Sequence, residues 1–403
     1  MLLTLVLQGG GAAATLLAAL WLGARLGPQQ QGQFNQLKAL VEFGAALSML
    51  GMPQALYVYA QQARLTLAQA RHIAARVAWL GLPVGALAAW FSLPGVGVGV
   101  GVAPVLALAL AVALASLHGQ WRTLLLLRQH TLGFNLVTVA PQWLLLALAA
   151  TVVLAQGLGL AGMAVLMVVV WGLSAVLAGQ MLGLGPVAPD PQQSPSGQPA
   201  VPVQGLVRHG AATWLTASLA TASVVVLQSA AQAAAGGEGL GQISLALMLA
   251  QVPLTPLNYA LPLLLRHRLM QGASPALTRA ALLAMAAMAL LALLVAGLGD
   301  ALGNLGLGAG YGRLHRPLAW LLLAGAAETL LRLLSVDAQA CGQAWRSTAA
   351  EALRLAVLLA AAATLVLPGP AFGLGSPVEA LAMAWAVAAA LAALLLHWLS
   401  GRA

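Results

Sequence analysis

The sequence predicts an all-α integral membrane protein with about twelve transmembrane helices, arranged as two six-helix lobes related by a parallel pseudo-twofold repeat. Three observations predict it: a composition too apolar for a water-facing surface, a succession of apolar runs of membrane-crossing length, and a repeated spacing of glycines and prolines between the two halves of the chain. Of the 403 residues, 61 % are hydrophobic and 6 % are charged, with a mean hydropathy of +0.93. A soluble domain carries roughly 25 % charged residues. A chain this apolar cannot cover a globular surface with polar groups, so its solvent is lipid. The net charge of +9 comes from 17 Lys and Arg residues spread thinly, without the dense runs or aromatic interleaving of a nucleic-acid surface. Cys341 is the single cysteine, so no disulfide forms within the chain. The first apolar run lacks a basic leader and a small-residue cleavage site, and it reads as a retained first span.

A membrane helix needs about 20 apolar residues. That length places spans at 2–24, 36–58, 76–93, 103–127, 136–155, 159–183, 211–233, 241–265, 277–298, 317–337, 347–367 and 377–399. Pro53 interrupts the second span, and Pro253, Pro256 and Pro262 interrupt the eighth, as is tolerated where a helix faces protein or a water-filled cavity. With a cytoplasmic N-terminus, inner loops and inner helix ends hold Arg64, Arg71, Arg76, Arg122, Arg128, Arg208, Arg266, Arg268, Arg279, Arg346, Arg354 and Arg402. Outer positions hold only Arg25, Arg313 and Arg316, while Lys38 and Arg332 fall inside spans. This bias predicts an even number of spans with both termini cytoplasmic in a bacterial inner membrane. Residues 185–205 contain six prolines and almost no apolar bulk. They predict a cytoplasmic Pro/Gln/Ser-rich linker over 185–207 that separates an N-terminal lobe, 1–184, from a C-terminal lobe, 208–403.

The two halves share an offset of 209 residues, which pairs Gly27 with Gly236, Gly32-Gln33 with Gly241-Gln242, Pro53 with Pro262 and Gly133 with Gly342. An offset near half the chain length predicts duplication of a six-helix unit. Units with an even number of spans enter from the same side, hence a parallel repeat about an axis along the membrane normal.

The segment ARLGPQQQGQFNQL (24–37), followed by the second span and LGMPQALYVYAQQ (50–62), resembles the opening of bacterial polysaccharide-biosynthesis and Wzx-type O-antigen flippases. These belong to the multidrug/oligosaccharidyl-lipid/polysaccharide (MOP) exporter superfamily. Arg25, Leu26, Gly27, Gly32, Phe34, Gly51, Pro53 and Tyr57 carry the resemblance. GGEGLGQISLALMLAQ (236–251) and GLGSPVEALAMAWAVAAAL (373–391) are similar to that family's eighth and last spans, except that Pro377 and Glu379 stand where a glycine-alanine pair is usual. The chain begins almost inside its first span, whereas that family usually has a short amphipathic lead. The resemblance implies alternating-access export of a lipid-linked oligosaccharide, an undecaprenyl-pyrophosphate sugar turned from the inner to the outer leaflet for lipopolysaccharide O-antigen or other surface polysaccharide.

Such a transporter needs cations for the pyrophosphate and hydroxyl or amide groups for the sugars. An ionisable group inside a span costs about 2.5–3.5 kcal/mol on insertion scales, so each is a functional candidate. Lys38 and Glu42 lie at i, i+4 on one face of the second span. Two readings stand side by side: a phosphate-binding cation with an ion-coupling carboxylate, or a self-neutralising pair with Lys38 reaching outward. Glu328 and Arg332 repeat the spacing in the tenth span, where Arg332 offers a bidentate fork for phosphate and Glu328 an ion-coupling carboxylate, or the two form an ion pair that fixes helix packing. Arg25 ends the first span at the family's arginine position, and Arg122 is either a fourth phosphate-binding cation or a positive-inside anchor. Gln8, Gln251 and Asn258 are candidates for sugar contact; Gln142 and Gln228 also lie at depth, where amides commonly bond a neighbouring helix. His118 is a proton-relay candidate or a packed, satisfied side chain. Glu351 and Arg354 fall near the inner end of the eleventh span and read as interfacial.

GVGVGVG (95–101) lacks the Gly-Lys-Ser/Thr ending of a phosphate loop, and no zinc spacing, serine elbow or ATP-binding motif is present, so no cofactor is expected. Energy then comes from a coupling ion such as proton or sodium, from the membrane potential or from product withdrawal. The alternative is an ion-coupled small-molecule or multidrug antiporter of the same superfamily. A membrane polymerase or ligase needs a large outer segment with catalytic residues, and the outer stretch 299–316 offers only Asp300, Arg313 and His315, so the chain is not expected to be an enzyme.

Overall fold

A computed structural model describes residues 2–61, 65–92, 101–127, 131–154, 159–184, 203–258, 261, 264–265, 268, 275–303, 309–366 and 376–401. Residues 185–202 of the predicted linker, residues 95–100 of the glycine-valine stretch, residues 373–375, Pro262, and Arg64, Arg128, Arg266 and Arg402 lie outside the described residues. The described chain is all-α. Its helices of ten residues or more are α1 (Leu2–Met49), α2 (Met52–Gln61), α3 (Leu67–Ala78), α4 (Gly81–Ser92), α5 (Val102–Leu127), α6 (Thr131–Leu154), α7 (Leu160–Leu184), α8 (Val203–Gln251), α9 (Pro275–Gly303), α10 (His315–Ala340), α11 (Trp345–Val366) and α12 (Pro377–Ser400).

Among the described residues, ten stretches are long and apolar enough to cross a membrane. Two of them, Val6–Met49 and Gly210–Gln251, run to 44 and 42 residues, each about twice a single span. Both are kinked. In α1 the break falls at Gly27 (φ 69°, ψ 173°), and in α8 at Gly236 (φ 67°, ψ −164°). This region of backbone space belongs essentially to glycine. Counting each kinked helix as two spans recovers the twelve predicted from the sequence, and the two kinks are one of the pairs at the 209-residue offset. Gly133 and Gly342 do not match in conformation: Gly342 has φ 71° in the turn after α10, while Gly133 continues the first turn of α6.

Two of the proline interruptions, at Pro53 and Pro253, fall at turns, while Pro256 lies in the helical stretch that follows. Leu50 (φ 51°) and Gly51 (φ 68°) separate α1 from α2 just ahead of Pro53, which then sits in the first turn of α2, where its missing N–H is not needed. Residues 252–254 turn around Pro253 after α8. The last helix starts on a cap: Ser376 Oγ accepts the Glu379 N–H at 3.3 Å, with Pro377 at the first helical position.

The chain forms two compact units, Met1–Gly11 with Leu37–Ser218, and Ala12–Gln36 with Leu219–Ala403. In the first unit the core holds Leu37, Val41, Met52, Leu56, Leu124, Leu125, Phe134 and Met163. There α4 lies close on α5, because a Cβ on Gly81 would sit 2.5 Å from Ala113 Cα and one on Gly85 2.7 Å from Ala109 Cα. The second unit is built on Ala19, Leu227, Leu245, Tyr311, Leu321, Leu322 and Trp385. Unit membership crosses chain order twice, since 12–36 packs with the second half and 203–218 with the first.

Leu283, Leu293, Phe91 and Val102 are exposed by more than 70 %. An apolar exterior of this kind is stable only in lipid. With the ten apolar stretches, it makes the chain a multi-pass membrane protein.

Candidate functional site

The described ionisable groups of the spans are concentrated in the second unit, around Glu328. One turn of α10 separates Glu328 from Arg332, and one turn of α11 separates Glu351 from Arg354, so each helix presents an acid and a base on one face. Glu328 is 3 % exposed, Glu351 7 % and Arg354 4 %. Arg332 Nη2 meets Glu328 Oε2 at 2.8 Å. Trp385, from α12, donates its indole N–H to Glu328 Oε1 at 2.9 Å. Arg354 Nη1 stands 3.9 Å from that same oxygen, and Arg354 Nε is 3.2 Å from Glu351 Oε2. The Arg354 guanidinium lies over the Trp385 ring at 4.8 Å and donates to the Ala220 carbonyl of α8 at 3.2 Å. Arg332 donates in addition to the Asn258 side-chain oxygen.

Four helices therefore converge on two carboxylates and two guanidiniums whose charges cancel. Cancellation is what allows them inside: a buried charge without a partner is strongly unfavourable, and a buried pair is tolerated when its remaining donors and acceptors are also met. The indole, the Asn258 amide and the Ala220 carbonyl meet several of them here.

The first unit holds simpler arrangements. Lys38 Nζ contacts Glu42 Oε1 at 2.6 Å, with side chains 34 % and 41 % exposed. His118 is buried, its Nε2 3.0 Å from the Val137 carbonyl and its ring 5.4 Å from that of Trp171. Gln8 donates to Asn135 Oδ1 at 3.3 Å. Arg122 is half-buried one turn from His118 on α5.

Of the residues singled out by sequence, the fold brings together Glu328, Arg332 and Asn258. It does not join Arg25 or Gln251 to that cluster: Arg25 is exposed two residues before the Gly27 break, and Gln251 is half-buried at the end of α8, its carbonyl accepting from Thr255. Lys38, Glu42, Arg122 and Gln8 belong to the other unit. Sequence reasoning passed over Trp385 and read Glu351 and Arg354 as interfacial. Position near a helix end suggested an interfacial pair, yet neighbouring helices enclose both charges. The available signal was the acid–base spacing on α11, close to that on α10. Among the described residues, no group of three or more His, Cys, Asp or Glu side chains is placed to hold a metal ion.

No family model matches the chain, and no curated protein matches it. Solved structures do. An inward-facing multidrug resistance MATE family transporter of the MOP superfamily is similar over 97 % of this chain and 94 % of its own, with TM-score 0.66 and 15 % identity. A MOP superfamily transporter from Pyrococcus furiosus, described as having a binding pocket of reversed polarity that suggests a different function, is similar over 100 % of this chain and 94 % of its own, with TM-score 0.61 and 14 % identity. The eukaryotic MATE transporter AtDTX14 is similar over 99 % of this chain and 94 % of its own, with TM-score 0.62 and 14 % identity. At these identities the likeness is one of fold: the chain has the two-lobed, all-helical architecture of these solved transporters.

Proposed function

We propose that the chain is an ion-coupled antiporter that exports a small organic solute from the bacterial cytoplasm across the inner membrane, with both termini cytoplasmic. The observation that carries this reading is the neutralisation of three cations carried on long helices, Lys38, Arg332 and Arg354. Lys38 is held by Glu42, Arg332 by Glu328, and Arg354 lies between Glu328 and Glu351. A pyrophosphate-lined path calls for cations with positive charge to spare, and these have theirs cancelled. The balanced cluster suits ion coupling instead. A proton arriving on Glu328 or Glu351 would leave a guanidinium uncompensated in an apolar interior, and a conformation that relieves it would be favoured. The ion thus biases a two-state element, which is the requirement for coupling. The MATE structures similar in fold support the same reading.

The test is proton release or uptake in proteoliposomes. A pH gradient is imposed, a panel of organic cations and neutral aromatics is added, and dissipation is followed with a lumenal pH dye. Solute-dependent proton flux that disappears in Glu328→Gln and Glu351→Gln is the expected result. No solute-dependent flux with either protons or sodium across the panel would count against antiport.

A second reading, flipping of a lipid-linked oligosaccharide, draws on the motif over residues 25–57, with Arg25 exposed and Arg122 half-buried. It predicts that the chain restores surface polysaccharide in a flippase-deficient bacterium and that Arg25→Ala abolishes the rescue at normal protein level.

A further inference from the structure

The membrane-crossing stretch Leu67–Phe91 begins on a short basic helix, α3, unlike the apolar α4 that follows. Thr66 caps it: its hydroxyl accepts the Gln69 N–H at 3.2 Å, and the Gln69 side chain accepts the Thr66 N–H at 2.9 Å. One face of α3 is closed. Ala70, Ala74 and Ala78 are buried, and α3 packs on α2 and α5. The opposite face is open: His72 and Arg76 are exposed, and Trp79, one turn on, is 59 % exposed. The stripe continues through Pro83 and Leu87 of α4, both exposed. A single face thus carries cations at one end, an indole at the junction and apolar groups beyond. Arg71 stands beside it, exposed, with its guanidinium over the Trp121 ring of α5 at 5.4 Å.

Nothing acidic balances these charges. Residues 43–189 hold Arg64, Arg71, Arg76, Arg122 and Arg128 and no Asp or Glu. Glu42 is held by Lys38. The second half is built otherwise: Arg268 meets Asp337 at 2.7 Å, Arg316 meets Glu379 at 3.5 Å, and Arg332 and Arg354 share Glu328. Nor does the repeat demand a basic face. At the 209-residue offset, Arg71, His72, Arg76 and Trp79 correspond to Ala280, Ala281, Met285 and Met288 of α9. A single cation, Arg279, stands near the start of that helix, so the corresponding span does without the cluster.

Cations without carboxylates, beside a lipid-facing apolar stripe, complement a molecule with an anionic head and apolar tails. We propose that α3 and the start of α4 bind an anionic phospholipid. Arg76 holds the phosphodiester, to which a guanidinium presents paired donors, and Arg71 and His72 add charge and donors a turn above it. Trp79 sits at the headgroup level, where amphipathic rings collect, and an acyl chain lies along Pro83 and Leu87. Basic clusters beside a membrane span attract anionic lipid through the same surface charge. Because no carboxylate competes, the site favours net negative charge over zwitterionic headgroups that carry the same phosphate. It is independent of what the chain transports.

The test is native mass spectrometry of the delipidated protein titrated with phosphatidylglycerol or phosphatidylcholine. The wild type should retain one phosphatidylglycerol several-fold more than phosphatidylcholine. Arg71→Gln/Arg76→Gln should abolish that preference, whereas Arg279→Gln/Arg346→Gln, which removes two cations of the second half, should keep it. In nanodiscs, phosphatidylglycerol should raise the midpoint of thermal unfolding of the wild type and not of Arg71→Gln/Arg76→Gln, while inorganic phosphate should move neither. Equal retention of the two lipids by the wild type would overturn the proposal even if the double variant fails to fold. Equal loss of preference in the two double variants would also overturn it, because the attraction would then follow net charge and not this face. A midpoint raised as much by inorganic phosphate would overturn it in favour of a free anion.

Discussion

Lys38–Glu42 and Glu328–Arg332 look alike in the sequence: an acid and a base four residues apart in an apolar helix. The fold treats them differently. The first pair stands by itself at 2.6 Å on α1, with side chains 34 % and 41 % exposed. The second is enclosed, and its carboxylate also receives an indole N–H and faces a second guanidinium. Spacing decides that two charges meet; the neighbouring helices decide what their meeting is worth. A pair that water reaches contributes about 0–1 kcal/mol, because water screens it and two long side chains must be held still. An enclosed pair is worth little relative to an apolar replacement, but removing one member costs about 3–5 kcal/mol.

The largest effect should come from breaking the enclosed side. Glu328→Ala leaves Arg332 and Arg354 facing each other without their shared carboxylate, so a loss of about 3–5 kcal/mol is expected by chemical unfolding in detergent. The double variant Glu328→Ala/Arg332→Ala should lose distinctly less than the two single losses added together, because one stranded charge goes with the other. Additive losses would show that the pair is no more coupled than Lys38 and Glu42.

Trp385→Phe sharpens the comparison by removing one hydrogen bond and keeping an aromatic ring beneath Arg354. A bond to a charged group contributes about 1.5–3 kcal/mol, and a fall in that range is expected. If Trp385→Phe unfolds like wild type, the indole is not part of what holds Glu328.

The smallest effect belongs to the accessible pair. Lys38→Met should change stability by less than about 1 kcal/mol. Its influence, if Glu42 carries a coupling ion, should show in the pH dependence of flux and not in unfolding. A stability loss as large as that of Glu328→Ala would mean that the two pairs are alike after all.

The same contrast explains what could be read in advance. Glu328 and Arg332 were legible because charge inside an apolar run has a known cost. The kinks at Gly27 and Gly236 were foreshadowed by the 209-residue offset, although spacing alone does not distinguish them from Gly133 and Gly342, which differ in conformation. Trp385 was not legible, since an aromatic among alanines in a lipid-spanning helix has many uses, and only α10 lying beside α12 gives its N–H a carboxylate. The enclosure of Glu351 and Arg354 was not legible, because position along a helix says nothing of the helices alongside. Nor does hydropathy reveal that 12–36 packs with the second half, since each apolar run looks the same whichever neighbour it meets.

The matched breaks at Gly27 and Gly236 also bear on heredity. At neither position would a Cβ touch anything within 4 Å, so room is not what restricts them; the backbone conformation is. Every replacement of a glycine brings a Cβ with it, so no neighbouring amino acid offers a milder intermediate. Both sites are therefore dead ends for stepwise mutation, one in each repeat. The two halves of the chain differ almost everywhere else and still carry the same letter at this one place.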